Sequence, residues 1–139
     1  ALEGDALELG QQHALKALAL RSKGRKVALI SGGEATVTVS NRDGRGGRCT
    51  AYLLSCALNL QGAEEIYGFA ADSDGVDGSE DNAGGYLWPG ILEDMGGGEH
   101  ARQMLLDDNS YLAFDKANAL LMTGPSGTNV NDLRILLIG

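Results

Sequence analysis

Glu65-Ile66-Tyr67-Gly68-Phe69-Ala70-Ala71-Asp72-Ser73-Asp74-Gly75-Val76-Asp77-Gly78-Ser79-Glu80-Asp81-Asn82-Ala83-Gly84-Gly85 reads as an apolar strand that breaks into a polar, glycine-rich loop. Open α/β sheets place their ligand sites beyond the carboxyl ends of such strands. The loop carries Asp72, Asp74, Asp77, Glu80 and Asp81 with no Lys or Arg. Acidic groups this dense repel one another unless a cation or cationic side chains gather them. Three readings compete: a solvated acidic turn, a calcium loop, and a site for Mg²⁺ with a nucleotide or phosphate. The calcium reading fails in register, because Val76 stands at a ligand position, Asp77 at the turn glycine and Ala83 at the closing Glu.

Outward from that loop, Val27-Ala28-Leu29-Ile30 is a buried strand, and Thr36 to Ser40 alternates as a second. Ser31-Gly32-Gly33-Glu34 joins them, which predicts an antiparallel hairpin over about 27–40. Asn41 to Arg48 is a glycine-rich loop with three arginines, opening into a helix from Cys49 to Leu60. Free N–H groups, the helix dipole and guanidinium forks make that junction a ready anion site. It lacks G-x-x-x-x-G-K-[ST], so it is not a Walker loop. Tyr86 to Ile91 reads as irregular, Ala101 to Leu106 as a short helix, and Asp107 to Ser110 as the cap of another helix reaching Phe114. For Asn109, capping and ligand contact stand equal. Ala119 to Met122 is a strand that enters a loop of hydroxyls, amides and glycine from Thr123 to Asp132, and Leu133 to Ile138 closes the chain as a strand. Residues 3–22 form an amphipathic helix with a basic end, and His13 on it is a surface or packing residue. The fold class that results is α/β: a mixed β-sheet flanked by helices, with one antiparallel hairpin. An antiparallel hairpin means the sheet is not wholly parallel.

The 139 residues suffice for one domain, and 43% of them are hydrophobic. Glycine stands out at 21 residues, about twice the usual ~7%. The net charge of −8 argues against nucleic-acid and anionic-membrane binding. Cys49 and Cys56 lie two turns apart on one helix, too far for a disulfide, and fit buried thiols in a reducing compartment. With no signal peptide and no long apolar run, the expected location is cytoplasmic. The start at Ala1, directly into a helical pattern, suggests a piece of something longer.

Four segments taken together are more specific than any one of them: SGGEATVTV at 31–39, GRGGR at 44–48, ADSDGVDGSEDNAG at 71–84 and TGPSGTNVNDLRILLIG at 123–139. In this order and spacing they resemble the C-terminal domain of the class II glycerate 2-kinases, the MOFRL family, some members of which carry the label hydroxypyruvate reductase. The resemblance covers about residues 27–139. It divides the chain into a helical segment, 1–24, like the connection to a larger N-terminal domain, and a MOFRL-like α/β domain, 25–139. It implies phosphorylation of D-glycerate to 2-phosphoglycerate by ATP with Mg²⁺, in a cleft shared with the N-terminal domain of the same parent chain. A homodimer is compatible with it.

By the same resemblance, Arg45, Arg48 and Asp77 are the catalytic candidates, with the arginines on the glycerate carboxylate or the transferring phosphoryl group. Asp72, Asp74 and Asp77 would hold Mg²⁺ directly or through water. Ser31, Gly32, Gly33, Glu34, Gly46, Gly47, Asn109, Thr123, Gly124, Thr128, Asn129 and Asn131 would line the substrate and nucleotide site. The family usually continues GRGGR with Asn, a variable residue and Glu, where this chain has Cys49, Thr50 and Ala51; Ser126 replaces a common Thr. With one wall of the cleft present, the isolated chain is expected to be inactive. The alternatives are a catalytically silent, ligand-binding homologue and a hydroxypyruvate reductase; the second lacks a strand-borne G-x-G-x-x-G.

Overall fold

The computed structural model describes residues 6–32, 47–72, 77, 81–124 and 132–139. In chain order the elements are α1 (Ala6–Ser22), β1 (Val27–Gly32), α2 (Arg48–Leu60), β2 (Ile66–Asp72), β3 (Gly84–Leu87), α3 (Ile91–Asp94), α4 (Gly98–Leu106), α5 (Ser110–Lys116), β4 (Leu120–Leu121) and β5 (Asp132–Ile138). The five strands form one sheet in the order β1-β5-β2-β3-β4. This is the α/β architecture that the apolar runs predict, helices included.

Antiparallel pairing goes further than one hairpin: every strand pair among the described residues is antiparallel. The partner of β1 within them is β5, with Leu29 opposite Leu136 and Ser31 opposite Arg134. The second arm of the expected hairpin, residues 36–40, lies outside the described residues.

The sheet's two faces differ. β5 alternates strictly, burying Asp132, Arg134, Leu136 and Ile138 and exposing Leu133 and Leu137. The buried face lies against α2, which is buried almost all round, at eleven of its thirteen residues. Such a helix must be enclosed by other elements, and α1, α4, α5, β2 and β3 enclose it. α1 approaches it with small residues, Ala6, Gly10, Ala14 and Ala17. The Ser55 hydroxyl donates to the Leu7 carbonyl at 2.6 Å, and the Cys56 thiol donates to that of Gly10 at 3.4 Å. Thus α1 shares the main core rather than standing off it. Both cysteines are buried free thiols, and burial pushes Cys56 up to about 12. No described helix is long and apolar enough to cross a membrane.

β3 and the single-turn α3 are the elements the sequence does not reveal. Strand propensity is weak at Gly84-Gly85. The glycines are there because the chain runs too close for side chains: a Cβ at Gly84 would collide with the Ala70 carbonyl, and one at Gly85 would lie 2.9 Å from the Phe114 ring. β4 is shorter than the apolar run Ala119 to Met122, pairing only through Leu120 and Leu121.

Candidate functional site

One end of the sheet gathers the ends of β1, β2 and β4 and the starts of β3 and β5. There Gly32 pairs with Leu133, Asp72 with Asp132, and Gly84 with both Ala71 and Leu121. The first turn of α2 reaches the same end. Gly32, Asp72 and Leu121 end their strands here, and Arg48 begins α2 here.

Asp72 and Asp132 are the centre of the site. They face each other across β2 and β5, 5% and 3% exposed. Like charges directly opposite on adjacent strands repel, so a cation must sit between them. Arg48 supplies it. Its Nε donates to Asp132 Oδ2 and its Nη2 to Asp132 Oδ1, both at 2.9 Å, and Nη2 also donates to Asp72 Oδ2. A forked guanidinium–carboxylate pair of this kind fixes orientation as well as charge. The hydrogen bonds to Asp132 hold the Arg48 guanidinium firmly protonated, against the opposing effect of burial. The Arg48 side chain is still 24% exposed. Its Nη1 protons have no partner among the described residues.

Helix and strand match in rise behind this contact. Arg48 and Tyr52 are one helical turn apart, about 6 Å, and Asp132 and Arg134 are two strand residues apart, about 6.6 Å. Arg48 accordingly meets Asp132, and Tyr52 meets Arg134, whose Cζ lies 5.6 Å from the ring centroid. Tyr52 in turn places its hydroxyl 2.7 Å from His13 Nδ1 on α1. His13 is thus a packing residue; burial first, then Arg134 and Lys16, hold its pKa below 6.5.

Asp77 has a different surrounding. It is fully buried, and its Oδ1 accepts the N–H of Cys49 while Oδ2 accepts that of Thr50, each at 3.0 Å. It caps α2 from a distant loop, and the carboxylate sits where the helix dipole favours negative charge. Gly47 makes room for it, since a Cβ there would run into the Asp77 carboxylate. Burial raises the Asp77 pKa, and the Cys49 and Thr50 hydrogen bonds oppose that rise. The Thr50 hydroxyl lies 2.8 Å from Ser110 Oγ and accepts the Gly47 N–H at 3.3 Å. The backbone N–H groups of Cys49 and Thr50 and the Thr50 hydroxyl therefore all serve the helix start.

The structure thus brings together Ser31, Gly32, Arg48 and Asp72, and seats Gly47 and Asp77 beneath them at the start of α2. Asn109 is the residue before α5, and its side chain makes no capping bond to that helix. Thr123 and Gly124 follow β4 at the far edge of the sheet; Thr123 is exposed. Gly33, Glu34, Arg45, Gly46, Asp74, Thr128, Asn129 and Asn131 lie outside the described residues. Asp132, Arg134 and Tyr52 are functional candidates that the sequence reading missed. The available signal was a pair of opposite charges at alternate positions, Asp132 and Arg134, at the start of an otherwise apolar strand, where a buried charge needs a partner.

The described carboxylates do not form a ready metal cage. Asp72 is bonded to Arg48, Asp77 to two backbone N–H groups, and Asp81 accepts the Tyr111 hydroxyl at 2.9 Å. No group of three His, Cys, Asp or Glu among the described residues is arranged to hold a metal ion. Direct Mg²⁺ ligation by Asp72 and Asp77 together does not fit this geometry.

Comparison with known proteins agrees with the segments at this edge. The MOFRL family matches residues 27–132. A protein of Agrobacterium vitis named "Putative hydroxypyruvate reductase" is 47% identical over the whole chain, which corresponds to 33% of that protein. A glycerate 2-kinase of Pyrococcus horikoshii is 34% identical over 99% of the chain and 32% of its own length. The crystal structure of a glycerate kinase from Thermotoga maritima superposes with a TM-score of 0.93 at 40% identity, covering all of this chain and 34% of the other. The chain spans about a third of the length of these relatives.

Proposed function

The chain belongs to the MOFRL family, and on that premise we propose that it is the C-terminal portion of a glycerate 2-kinase, which transfers the γ-phosphoryl group of ATP to D-glycerate. In this reaction the 2-hydroxyl oxygen of glycerate forms a bond to Pγ. The bond from Pγ to the ADP oxygen breaks, and the hydroxyl proton is released. Catalysis of such a transfer rests on positioning and charge neutralisation rather than on covalent chemistry by the protein.

The observation that carries the proposal is the state of Arg48. Asp132 and Asp72 hold one side of its guanidinium, and the Nη1 side, which has no partner among the described residues, would meet an anion. That is a preorganised cation at the sheet edge where the glycine-rich segments begin. Arg48, with Arg45 from the same loop, would neutralise the glycerate carboxylate or the transferring phosphoryl group. Ser31-Gly32 and the segment from Thr123 onward would supply hydroxyl and backbone donors. Asp77 fits a supporting role better than a chemical one, because both of its oxygens are engaged at α2. Mg²⁺ would accompany the ATP phosphates; no step here is assigned to it.

The reductase name of the Agrobacterium vitis relative sets the competing reading, which the chain meets without a strand-borne G-x-G-x-x-G. A protein of the relatives' full length that carries this chain separates the two. With ATP and D-glycerate it is expected to form 2-phosphoglycerate, and with NADH or NADPH it is expected to leave hydroxypyruvate unreduced. Hydroxypyruvate-dependent nicotinamide oxidation without 2-phosphoglycerate formation would overturn the proposal. The 139-residue chain alone, supplying one wall of the cleft, is expected to form no product.

A further inference from the structure

Arg134 is a charged residue in the middle of a buried strand face, 2% exposed, between Asp132 and Leu136. A guanidinium in such a place destabilises the fold unless its charge and donors are met. They are met from three sides. Nε donates to Ser31 Oγ at 3.1 Å, and Nη2 donates to the Gly32 carbonyl at 3.0 Å. Nη1 lies 3.8 Å from Asp132 Oδ2. The plane of the group stands over the Tyr52 ring.

We infer that Arg134 is a positioning residue: it ties the Ser31-Gly32 end of β1 to Asp132 and shares the charge of Asp132, so that Arg48 is presented to an anionic ligand in one orientation. The charge count supports this. Two carboxylates, Asp72 and Asp132, are bonded to one Arg48, and Arg134 brings a second positive charge to Asp132. The hydrogen bonds support it separately. Ser31 and Gly32 begin one of the segments proposed to line the site, and Asp132 is the residue that orients Arg48, so this side chain adds a polar link to the backbone pairing of β1 with β5. Arg134 is buried where the Arg48 side chain is partly exposed, so it acts through Asp132 rather than on the ligand.

The catalytic consequence rests on the phosphotransfer reading; the positioning itself does not, and two arms of the test keep them apart. The first arm is side-chain ¹⁵N NMR of the Arg48 Nε–Hε group in the full-length protein, assigned by its loss in Arg48→Lys. In the wild type this proton, bonded to Asp132, is expected to exchange slowly. In Arg134→Met, which keeps an apolar stem against Tyr52 but no charge or fork, exchange is expected to quicken at least roughly tenfold. Arg134→Lys restores the charge without the fork and is expected to fall between; it is also the variant to use should Arg134→Met not fold. An Arg48 signal with wild-type shift and exchange in the folded variant overturns the inference.

The second arm is kinetics of the full-length protein. Arg134→Met is expected to lower kcat roughly 10- to 100-fold, the scale of a small misplacement of a reacting group, with KM for ATP changed less than about threefold and part of kcat recovered by Arg134→Lys. A variant whose Tm falls while kcat per folded molecule stays at the wild-type value shows Arg134 to be merely structural. Should wild-type full-length protein form no 2-phosphoglycerate while the NMR result holds, it is the phosphotransfer reading that fails and the positioning of Arg48 that stands.

Discussion

Asp72 and Asp77 belong to the same acidic stretch, yet they are neutralised by different means. Asp77 is wholly buried and held by two backbone N–H groups at the start of α2, dipoles that are fixed as long as the helix exists. Asp72, with its cross-strand partner Asp132, is held by the Arg48 guanidinium at the end of a side chain that is still 24% exposed. Fixed dipoles suit a group whose task is to keep a helix start in place. A partly exposed arginine, whose Nη1 has no partner among the described residues, suits a group that must meet something arriving from outside. On the proposed function, stability belongs to the first region and ligand chemistry to the second, although the sequence presents both simply as aspartates in a glycine-rich loop.

The sharpest way to break this division is at its functional end. In the full-length protein Arg48→Ala is expected to lower kcat/KM roughly 10²- to 10³-fold, the scale of losing one preorganised group at the transition state. Steady-state kinetics beside a thermal melt check this; kinetics equal to wild type would remove Arg48 from the chemistry. At the other end, Asp77→Ala leaves the N–H groups of Cys49 and Thr50 buried and unpaired. Each such group destabilises by about 1–3 kcal/mol, so a loss of about 3 kcal/mol in urea unfolding is expected. Thr50→Val keeps the shape of the side chain but strands Ser110 Oγ, and is expected to destabilise by about 1–2 kcal/mol.

The smallest effect lies furthest from the site. His13 has its folded pKa depressed, chiefly by burial. The unfolded chain therefore binds the proton more readily. The stability His13 contributes is present above its ordinary value of about 6.5 and is lost as the pH falls from there through the folded pKa. The wild-type Tm is expected to fall between pH 7 and pH 5, and His13→Gln to show a shallower fall over the same range. Equal slopes would mean that the hydrogen bond to Tyr52 does not depend on the charge state of His13.

Much of the fold was legible in the sequence because β1, β2 and β5 are apolar runs and α2 follows a glycine-rich start. β3 was not, since Gly84 and Gly85 give it no strand propensity and are present for the close approach of Ala70 and Phe114. In the site, Arg48 and Asp72 stood out by charge in glycine-rich surroundings. Asp132 and Arg134 did not: the first reads as the end of a loop and the second as one polar residue in an apolar strand, and only the register of β5 against β1 and β2 shows what they touch. The start of α2 reads in the sequence as a place for an anion. Its described occupant, Asp77, comes from far along the chain, and a junction read locally cannot supply a long-range partner.

The central claim is that guanidinium-held acid serves the chemistry and backbone-held acid serves the fold. Paired measurements of kcat/KM and Tm on Asp132→Asn and Asp77→Asn in the full-length protein test it most directly. The account predicts that Asp132→Asn, by loosening Arg48, lowers kcat/KM at least roughly tenfold. It predicts that Asp77→Asn lowers Tm by several degrees, with kcat/KM per folded molecule held within about threefold. An Asp77→Asn protein that melts like the wild type but has lost its kcat/KM, beside an Asp132→Asn protein that keeps it, would contradict the account.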